Sequence, residues 1–128
     1  MRFYIASGLK NHANVSRLAD LLKDRGHVHT YDWTIHGAVY KPEKLWSENV
    51  NAMLEVSVAE MNGVRSADIV IVLPPGGRGT HVELGAAIAL NKKIYLVGNL
   101  LYEDYPCAFH YHPLVTHTIS VNDLLREV

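Results

Sequence analysis

A glycine-rich segment in the second half of the chain has the composition of a ligand-binding turn. Residues 74–83 read Pro-Pro-Gly-Gly-Arg-Gly-Thr-His-Val-Glu, and they separate an apolar run from a stretch of small and apolar residues. Glycine lets backbone N–H groups approach a ligand without an intervening Cβ, and a helix N-terminus presents unpaired donors and a partial positive charge. The segment therefore predicts binding of a phosphate or a sugar oxygen, although a plain strand-to-helix turn has the same composition.

Glu83 is the second residue with obvious chemical potential, because it is the only acid in an otherwise apolar helical segment. We expect the helix N-terminus to lower its pKa and keep it ionised, while partial burial removes its water. Such a carboxylate can attack the anomeric carbon of a sugar in a retaining glycosidic cleavage. The alternative is a capping box, in which Glu83 only reaches back to the backbone amide of Thr80.

The elements that must position these residues alternate along the whole chain. The apolar residues 69–73 include four that are β-branched, which predicts a central parallel strand that is buried on both faces. Further strands are predicted at 3–6, 28–31, 94–97 and 117–120, and helices at 11–25, 47–65, 81–90 and 121–127. The third of these helices is apolar nearly all round, so we expect it to be buried.

This alternation predicts a single α/β domain over residues 1–128: a doubly wound (Rossmann/flavodoxin-like) three-layer sandwich with a parallel sheet of about five strands. Ligands bind such sheets at the carboxyl ends of the strands, where the strand order reverses. The loops at that edge are 7–11, 31–41, 74–80 and 98–105, and the functional residues should come from them.

Composition excludes several kinds of partner. The net charge is −1 with no cluster of Lys and Arg, so a nucleic-acid polymer is not expected. No apolar run approaches the roughly 18 residues of a membrane-spanning helix. The single cysteine, Cys107, allows no disulfide within the chain and suits a reducing compartment. We therefore expect a cytoplasmic protein that acts on a small molecule.

The eight histidines invite a metal-site interpretation. His27 and His29 alternate along one predicted strand, and His110 and His112 repeat this spacing. Neither pair has a third ligand at a spacing typical of zinc sites. We predict no metal site and interpret these histidines as surface or loop residues.

Four segments together resemble the nucleoside 2-deoxyribosyltransferase family, which includes the 2'-deoxynucleoside 5'-monophosphate N-glycosidases. They are Tyr-Ile-Ala-Ser-Gly at 4–8, Ser-Ala-Asp-Ile-Val-Ile-Val at 66–72, Gly-Thr-His-Val-Glu-Leu-Gly at 79–85 and Asn-Lys-Lys-Ile-Tyr at 91–95. The resemblance covers most of the chain in the same order. The Pro-Gly-Gly-x-Gly-Thr-x-x-Glu string also resembles the cytokinin-activating phosphoribohydrolases, which cut the same type of bond.

The resemblance implies catalytic roles for three residues. Glu83 corresponds to the nucleophile of the family, and Tyr4 corresponds to the tyrosine that orients it. Glu60 occupies the place of the second carboxylate, where the family usually has an aspartate. A solvated residue on the surface of its helix is the alternative for Glu60.

The resemblance also implies substrate contacts. Ser7 and Gly8 would contact the ligand, and Trp33, beside Asp32, could stack on the base or simply pack in the fold. The phosphate or 5'-oxygen contacts would come from the glycine-rich turn, where an arginine can donate two parallel hydrogen bonds to a phosphate; the residues concerned are Gly77, Arg78, Gly79 and Thr80.

The hypothesis from the sequence is cleavage or base exchange at the N-glycosidic bond of a (deoxy)nucleoside or nucleoside 5'-monophosphate, through a covalent glycosyl-Glu83 intermediate. Glu60 or water would protonate the departing base. No cofactor is needed, and a homodimer is expected because so small a domain leaves its cleft open. A nucleotide sensor without turnover and an NAD-cleaving glycohydrolase of the TIR type are the alternatives.

Overall fold

Five parallel strands form one sheet in the order β2-β1-β3-β4-β5 in the computed structural model, which describes residues 1–98 and 107–128. The strands are β1 (Arg2–Ser7), β2 (Val28–His29), β3 (Ile69–Leu73), β4 (Lys93–Val97) and β5 (Val115–Thr118). The helices are α1 (His12–Asp24), α2 (Trp46–Ser66), α3 (Arg78–Ala89) and α4 (Val121–Glu127). This topology confirms the predicted doubly wound α/β fold.

The helices cover both faces of the sheet. Helix α1 packs against β1 and β2, and α4 packs against β4 and β5. The Arg25 guanidinium, just after α1, donates to the Leu125 carbonyl of α4 over 2.8 Å, which joins these helices on one face. Helices α2 and α3 contact each other and β1 on the opposite face, as right-handed crossovers require. The result is a three-layer sandwich.

The core is centred on β1 and β3. Every residue of β3 is buried, as are residues 3–7 of β1. Their register pairs Phe3 with Ile69 and Ser7 with Leu73, so both strands end at the same level. The prediction of a central strand at 69–73, buried on both faces, is confirmed.

Two predicted strands, β2 and β5, differ from the structure by two residues at an end, whereas β1 and β4 differ by one. Strand β5 is at the edge of the sheet and begins two residues before the predicted start, at Val115. Only Val115 and Thr118 of this strand are buried, so the sequence contains little periodic signal. Strand β2 stops at His29, two residues before the predicted end, although the Thr30 amide still donates to the Phe3 carbonyl of β1 over 2.9 Å. The Thr30 hydroxyl donates to the Gly63 carbonyl of α2 over 2.7 Å.

Helix α3 corrects two further expectations. It begins at Arg78 rather than at 81, its N-cap is the extended residue Gly77, and that residue provides no side-chain cap. Thr80 therefore lies inside the first turn and Glu83 in the second, so the capping box, which was the alternative for Glu83, does not form. The helix is also only half buried, since Val82 is 60% exposed; its small residues are compatible with solvent as well as with a core.

One of the predicted loops lies mainly outside the described residues. The predicted loop 98–105 overlaps residues 99–106, which are not described, and so does a loop that the aromatic residues and histidines of 101–113 predict. The described part of the second loop contains a short 3-10 helix, Ala108–Tyr111. Within 1–98 and 107–128, none of the helices combines the length and the apolar character needed to cross a membrane.

Candidate active site

A cleft of about 240 Å³ opens at the carboxyl ends of β1 and β3, where the strand order reverses. Four parts of the chain contribute to it: the loop after β1, the loop after β2, the inner side of α2, and the glycine-rich turn with the first turns of α3. The lining residues are Ser7, Gly8, Leu9, Trp33, His36, Gly37, Ala38, Val39, Glu60, Gly77, Gly79, Thr80 and Glu83.

The carboxyl group of Glu83 is at the floor of this cleft. Glu83 is only 6% exposed. The hydroxyl of Tyr4, which is fully buried in β1, donates a hydrogen bond to its Oε2. Tyr4 therefore fixes the orientation of the group through Oε2, and Oε1 is the oxygen that remains for Glu60 or a ligand.

Burial controls the ionisation of Glu83. Burial raises the pKa of this carboxyl group to about 8. The hydrogen bond from Tyr4 lowers the pKa, whereas the charge of the neighbouring Glu60 raises it further. The expectation of a lowered pKa is therefore wrong. The physical reason is the position in the second turn of α3, because the helix dipole acts mainly within the first turn while the loss of water acts in full.

Glu60 provides a second carboxyl group in the cleft. It projects from α2, is half buried, and lies within hydrogen-bonding reach of Glu83. Burial raises its pKa, while its hydrogen bond with Glu83 and the nearby His36 act in the opposite direction. Two adjacent carboxyl groups of this kind resist simultaneous ionisation, so they share a proton. The pair can therefore supply one acid and one base.

Gly63 brings α2 close enough to the sheet for Glu60 to reach Glu83. A Cβ added at Gly63 would lie 2.9 Å from the Tyr31 Cβ and 2.9 Å from the Tyr4 Cδ2. Both distances are too short for carbon atoms, so only glycine fits between the helix and β1. Sequence reasoning missed this residue, although an isolated glycine inside a helical segment is a usable signal.

Ser7 and Gly8 line the cleft where β1 ends, and both also support the fold there. The Ser7 hydroxyl donates to the Leu73 carbonyl and accepts from the Asn11 side chain over 2.9 Å. The Gly8 amide donates to the Pro75 carbonyl over 2.9 Å, and an added Cβ would lie 2.8 Å from that oxygen. These contacts hold the loop after β1 against the glycine-rich turn.

The glycine-rich turn leaves open space beside the cleft. An added Cβ at Gly77 or Gly79 would meet no protein atom within 4 Å, although both residues line the cleft. Packing therefore does not require glycine at either position. Thr80 is buried in the cleft wall, whereas the exposed Arg78 is not among the residues that line it.

The loop after β2 differs in part from the predicted arrangement. Asp32 does not line the cleft; its carboxylate accepts from the Thr34 amide over 3.0 Å and caps a short 3-10 helix. Trp33 does line the cleft, but it is buried and its Nε1 donates to the Ile5 carbonyl over 2.8 Å. The sequence left two roles open for Trp33, stacking on the base and packing in the fold, and packing is at least part of its role.

His36 lines the cleft but was not among the predicted site residues. Its Nδ1 lies 2.9 Å from the Gly37 carbonyl, which can only accept, so this nitrogen carries the proton. Its Nε2 is buried and has no hydrogen-bond partner within the described residues. The position in the loop after β2, at the ligand-binding edge of the sheet, is the signal that could have identified it.

Comparisons with known proteins give the family and the fold of the chain. The family model described as nucleoside 2-deoxyribosyltransferase matches residues 3–105. No protein with a curated function matches the chain.

Two solved structures have the same fold. A CMP N-glycosidase from Clostridium botulinum superposes with a TM-score of 0.64 and 19% identity, over 99% of this chain and 97% of that chain. A 2-deoxyribosyltransferase from Bacillus psychrosaccharolyticus superposes with a TM-score of 0.69 and 18% identity, over 97% of this chain and 90% of that chain. With a family model that matches most of its length, this chain belongs to the nucleoside 2-deoxyribosyltransferase family.

Proposed function

We propose that this protein cleaves or exchanges the base of a (deoxy)nucleoside or nucleoside 5'-monophosphate through a covalent intermediate on Glu83. Family membership supports glycosyl transfer from a nucleoside. The observation that carries the proposal is the buried Glu83 carboxyl group, held by the Tyr4 hydroxyl and adjacent to Glu60 in a cleft at the switch point of the sheet.

The first step forms a bond between the Glu83 Oε1 and C1' of the sugar. The bond from C1' to the base nitrogen breaks, and its electron pair leaves with the base. Glu60 or a bound water gives that nitrogen a proton, so the base departs neutral. A carboxylate that has lost its water is a more effective nucleophile than a hydrated one, which suits the burial of Glu83.

The second step releases the sugar. Water, after losing a proton to Glu60, attacks C1' and the ester bond to Glu83 breaks, which gives hydrolysis. A second base that attacks C1' gives exchange instead. The same Glu60 carboxyl group gives and then takes back the proton, as the shared proton of the pair allows.

The 5' end of the substrate is proposed to lie against the first turn of α3. Backbone N–H groups at this helix terminus lack intrahelical acceptors, and the space beside Gly77 and Gly79 is open. A phosphate there would complement the helix dipole. Arg78 is exposed at the same turn and could reach a phosphate from outside the cleft. The base would then lie toward His36 and Trp33.

A substrate panel tests the proposal. The protein is incubated with nucleosides, deoxynucleosides, their 5'-monophosphates and NAD, and free base is measured by chromatography, with and without a second base. We expect base release from nucleosides or their monophosphates, and none after Glu83→Gln. Tight nucleotide binding without base release would support a sensor, and cleavage of NAD alone would support a TIR-type glycohydrolase; either result contradicts the proposal.

We also propose that the protein works in the cytoplasm as a homodimer. One cysteine in the whole chain suits a reducing compartment. Helix α2 exposes four apolar side chains at a spacing of four residues, which places them on one side of the helix; they are Trp46, Val50, Leu54 and Val58. A second copy of the chain would cover this stripe.

A further inference from the structure

We propose that His81, Cys107 and His110 form a binding site for a divalent transition-metal ion, and that Zn²⁺ is the ion that suits them. One ligand atom from each residue lies within 4.8 Å of the other two. His81 is in the first turns of α3, whereas Cys107 and His110 belong to the segment that precedes β5. The site therefore combines residues far apart in sequence, which explains why the spacing of the histidines did not reveal it.

The donor set and its dimensions suit zinc. Imidazole nitrogen and thiolate sulfur are the ligands that Zn²⁺ prefers, and two donors on one tetrahedral ion lie about 3.3–3.6 Å apart. The Nε2 atoms of His81 and His110 are 3.0 Å apart, and their rings stack with centroids 5.1 Å apart. Only small movements are needed for these atoms to surround an ion. Three protein ligands would leave a fourth position for water.

Hydrogen bonding prepares His81 for this role. Its Nδ1 lies 2.7 Å from the Gly77 carbonyl, which can only accept, so Nδ1 carries the proton. In the neutral ring the lone pair is then on Nε2, which faces His110. A second partner that fixes the tautomer in this way is a regular feature of metal-binding histidines.

The second histidine is held by its surroundings. His110 is buried, although we had interpreted it as a surface or loop residue, and its backbone carbonyl accepts from the His117 Nε2 over 2.7 Å. His81 and Cys107 are partly exposed, so an ion has access from solvent. Without the ion, the His110 Nε2 donates its proton to the His81 Nε2. Binding would therefore move the His110 ring proton to Nδ1, release the thiol proton of Cys107 to water, and join α3 to the segment before β5.

Metal titration of the full-length protein tests the site. After treatment with a chelator, Co²⁺ is added as a spectroscopic probe and Zn²⁺ is added to displace it. We expect one Co²⁺ per chain, a thiolate-to-cobalt charge-transfer band, and loss of that band as Zn²⁺ binds. The melting temperature should rise with Zn²⁺, because an ion that binds only the folded chain stabilises it.

Two variants and a matched control complete the test. Cys107→Ser should abolish the charge-transfer band and weaken Zn²⁺ binding at least about 100-fold, and His81→Asn should weaken it similarly. His12→Asn, on the exposed side of α1, should bind like the wild type. Circular dichroism checks that each variant folds. Absence of the band in the wild type, or equal Zn²⁺ affinity in all four proteins, would mean that the cluster is only a hydrogen-bonded histidine pair beside a thiol.

Discussion

Glu83 is an ionisable group in a buried position, and burial disfavours its charged form. The effect can be measured as a pH dependence of stability. The pKa of this carboxyl group is raised from 4.5 to about 8 in the folded chain. Between these values the folded state holds a proton that the unfolded state has lost, so stability must fall as the pH rises. The contribution of the protonated Glu83 to the free energy of unfolding is fully present below about pH 4.5 and is lost above about pH 8.

Urea unfolding at about pH 5 and about pH 9 measures this effect. We expect the wild type to lose on the order of 2–4 kcal/mol more than Glu83→Gln over this range, since one pKa unit corresponds to about 1.4 kcal/mol. The comparison between the two proteins removes the contribution of groups that do not interact with Glu83, such as the histidines outside the cleft; the change in Glu60 belongs to the carboxyl pair. If the free energy of unfolding depends on pH equally in both proteins, the pKa of Glu83 is not raised in the folded chain.

The Tyr4 hydroxyl lowers the pKa of Glu83 and orients its carboxyl group. Tyr4→Phe keeps the buried ring but removes the donor. Because a hydrogen bond to a charged group contributes about 1.5–3 kcal/mol, we expect kcat/KM to fall about 10- to 100-fold. The acid limb of its pH profile should move to higher pH, since the carboxyl group loses the interaction that favours its charged form.

A matched control for this variant is Tyr111→Phe, which removes a phenol hydroxyl from an exposed residue outside the cleft. Its pH profile should be that of the wild type. If the acid limb of Tyr4→Phe stays where it is in the wild type, the Tyr4 hydroxyl does not set the ionisation of Glu83.

The residues and the family resemblance together led to Glu83, Tyr4 and Glu60 as candidates, and the structure brings them together, but the ionisation expected for Glu83 was wrong. The error about Glu83 has a physical origin. A pKa depends on which side chains and how much water surround the group, and these are set by β1, α2 and α3 together. A short motif shows only the local effect on the pKa, which here is the helix dipole, and this effect is weaker than burial.

At the scale of the elements, α2 must lie close to β1 for the two carboxyl groups to meet. Gly63→Ala tests this requirement. Alanine gains about 1 kcal/mol in helix propensity, but its Cβ would lie 2.9 Å from both Tyr4 and Tyr31. We expect overpacking to dominate, with a net loss of about 1–3 kcal/mol in the free energy of unfolding and reduced activity.

Gly85→Ala is the matched control on α3. Gly85 is exposed, and an added Cβ would meet nothing within 4 Å. This variant should therefore gain stability, by about 0.5–1 kcal/mol, in the same urea experiment. A Gly63→Ala protein that is as stable as Gly85→Ala would contradict the proposed close contact of α2 with the sheet.

Element boundaries were predictable where one signal dominated. Strand β3 and helix α4 have the predicted bounds, because an uninterrupted β-branched run and a serine cap define them. The start of α3 was not predictable in the same way. Arg78 and Gly79 are helical although glycine disfavours helices, and the surrounding fold overrides that local preference.

At the scale of the whole molecule, the exposed stripe on α2 predicts self-association. Sedimentation analysis should show a dimer, and Leu54→Glu should shift it toward monomer, because a charge in the centre of an apolar interface is left without water. Lys10→Glu, on the surface near α1, is the control and should leave the dimer unchanged. A monomer at all concentrations would rule out the dimer.

The topology of the molecule was predictable from the alternation of strands and helices, and so was the edge where the cleft opens. The order β2-β1-β3-β4-β5 reverses between β1 and β3, and the carboxyl groups meet beside that point. The cluster of His81, Cys107 and His110 was not predictable, since no sequence spacing connects α3 with the segment before β5.

The attack of Glu83 on the sugar is tested most directly by mass spectrometry of the protein quenched in acid during turnover. The substrate is a 2'-fluoro-arabinosyl analogue of whichever nucleotide releases its base, because the fluorine slows breakdown of the glycosyl ester. We predict an added mass of one sugar unit on the peptide that contains Glu83, and no addition in Glu83→Gln. Continued base release by Glu83→Gln, or an adduct on another residue, would contradict this mechanism.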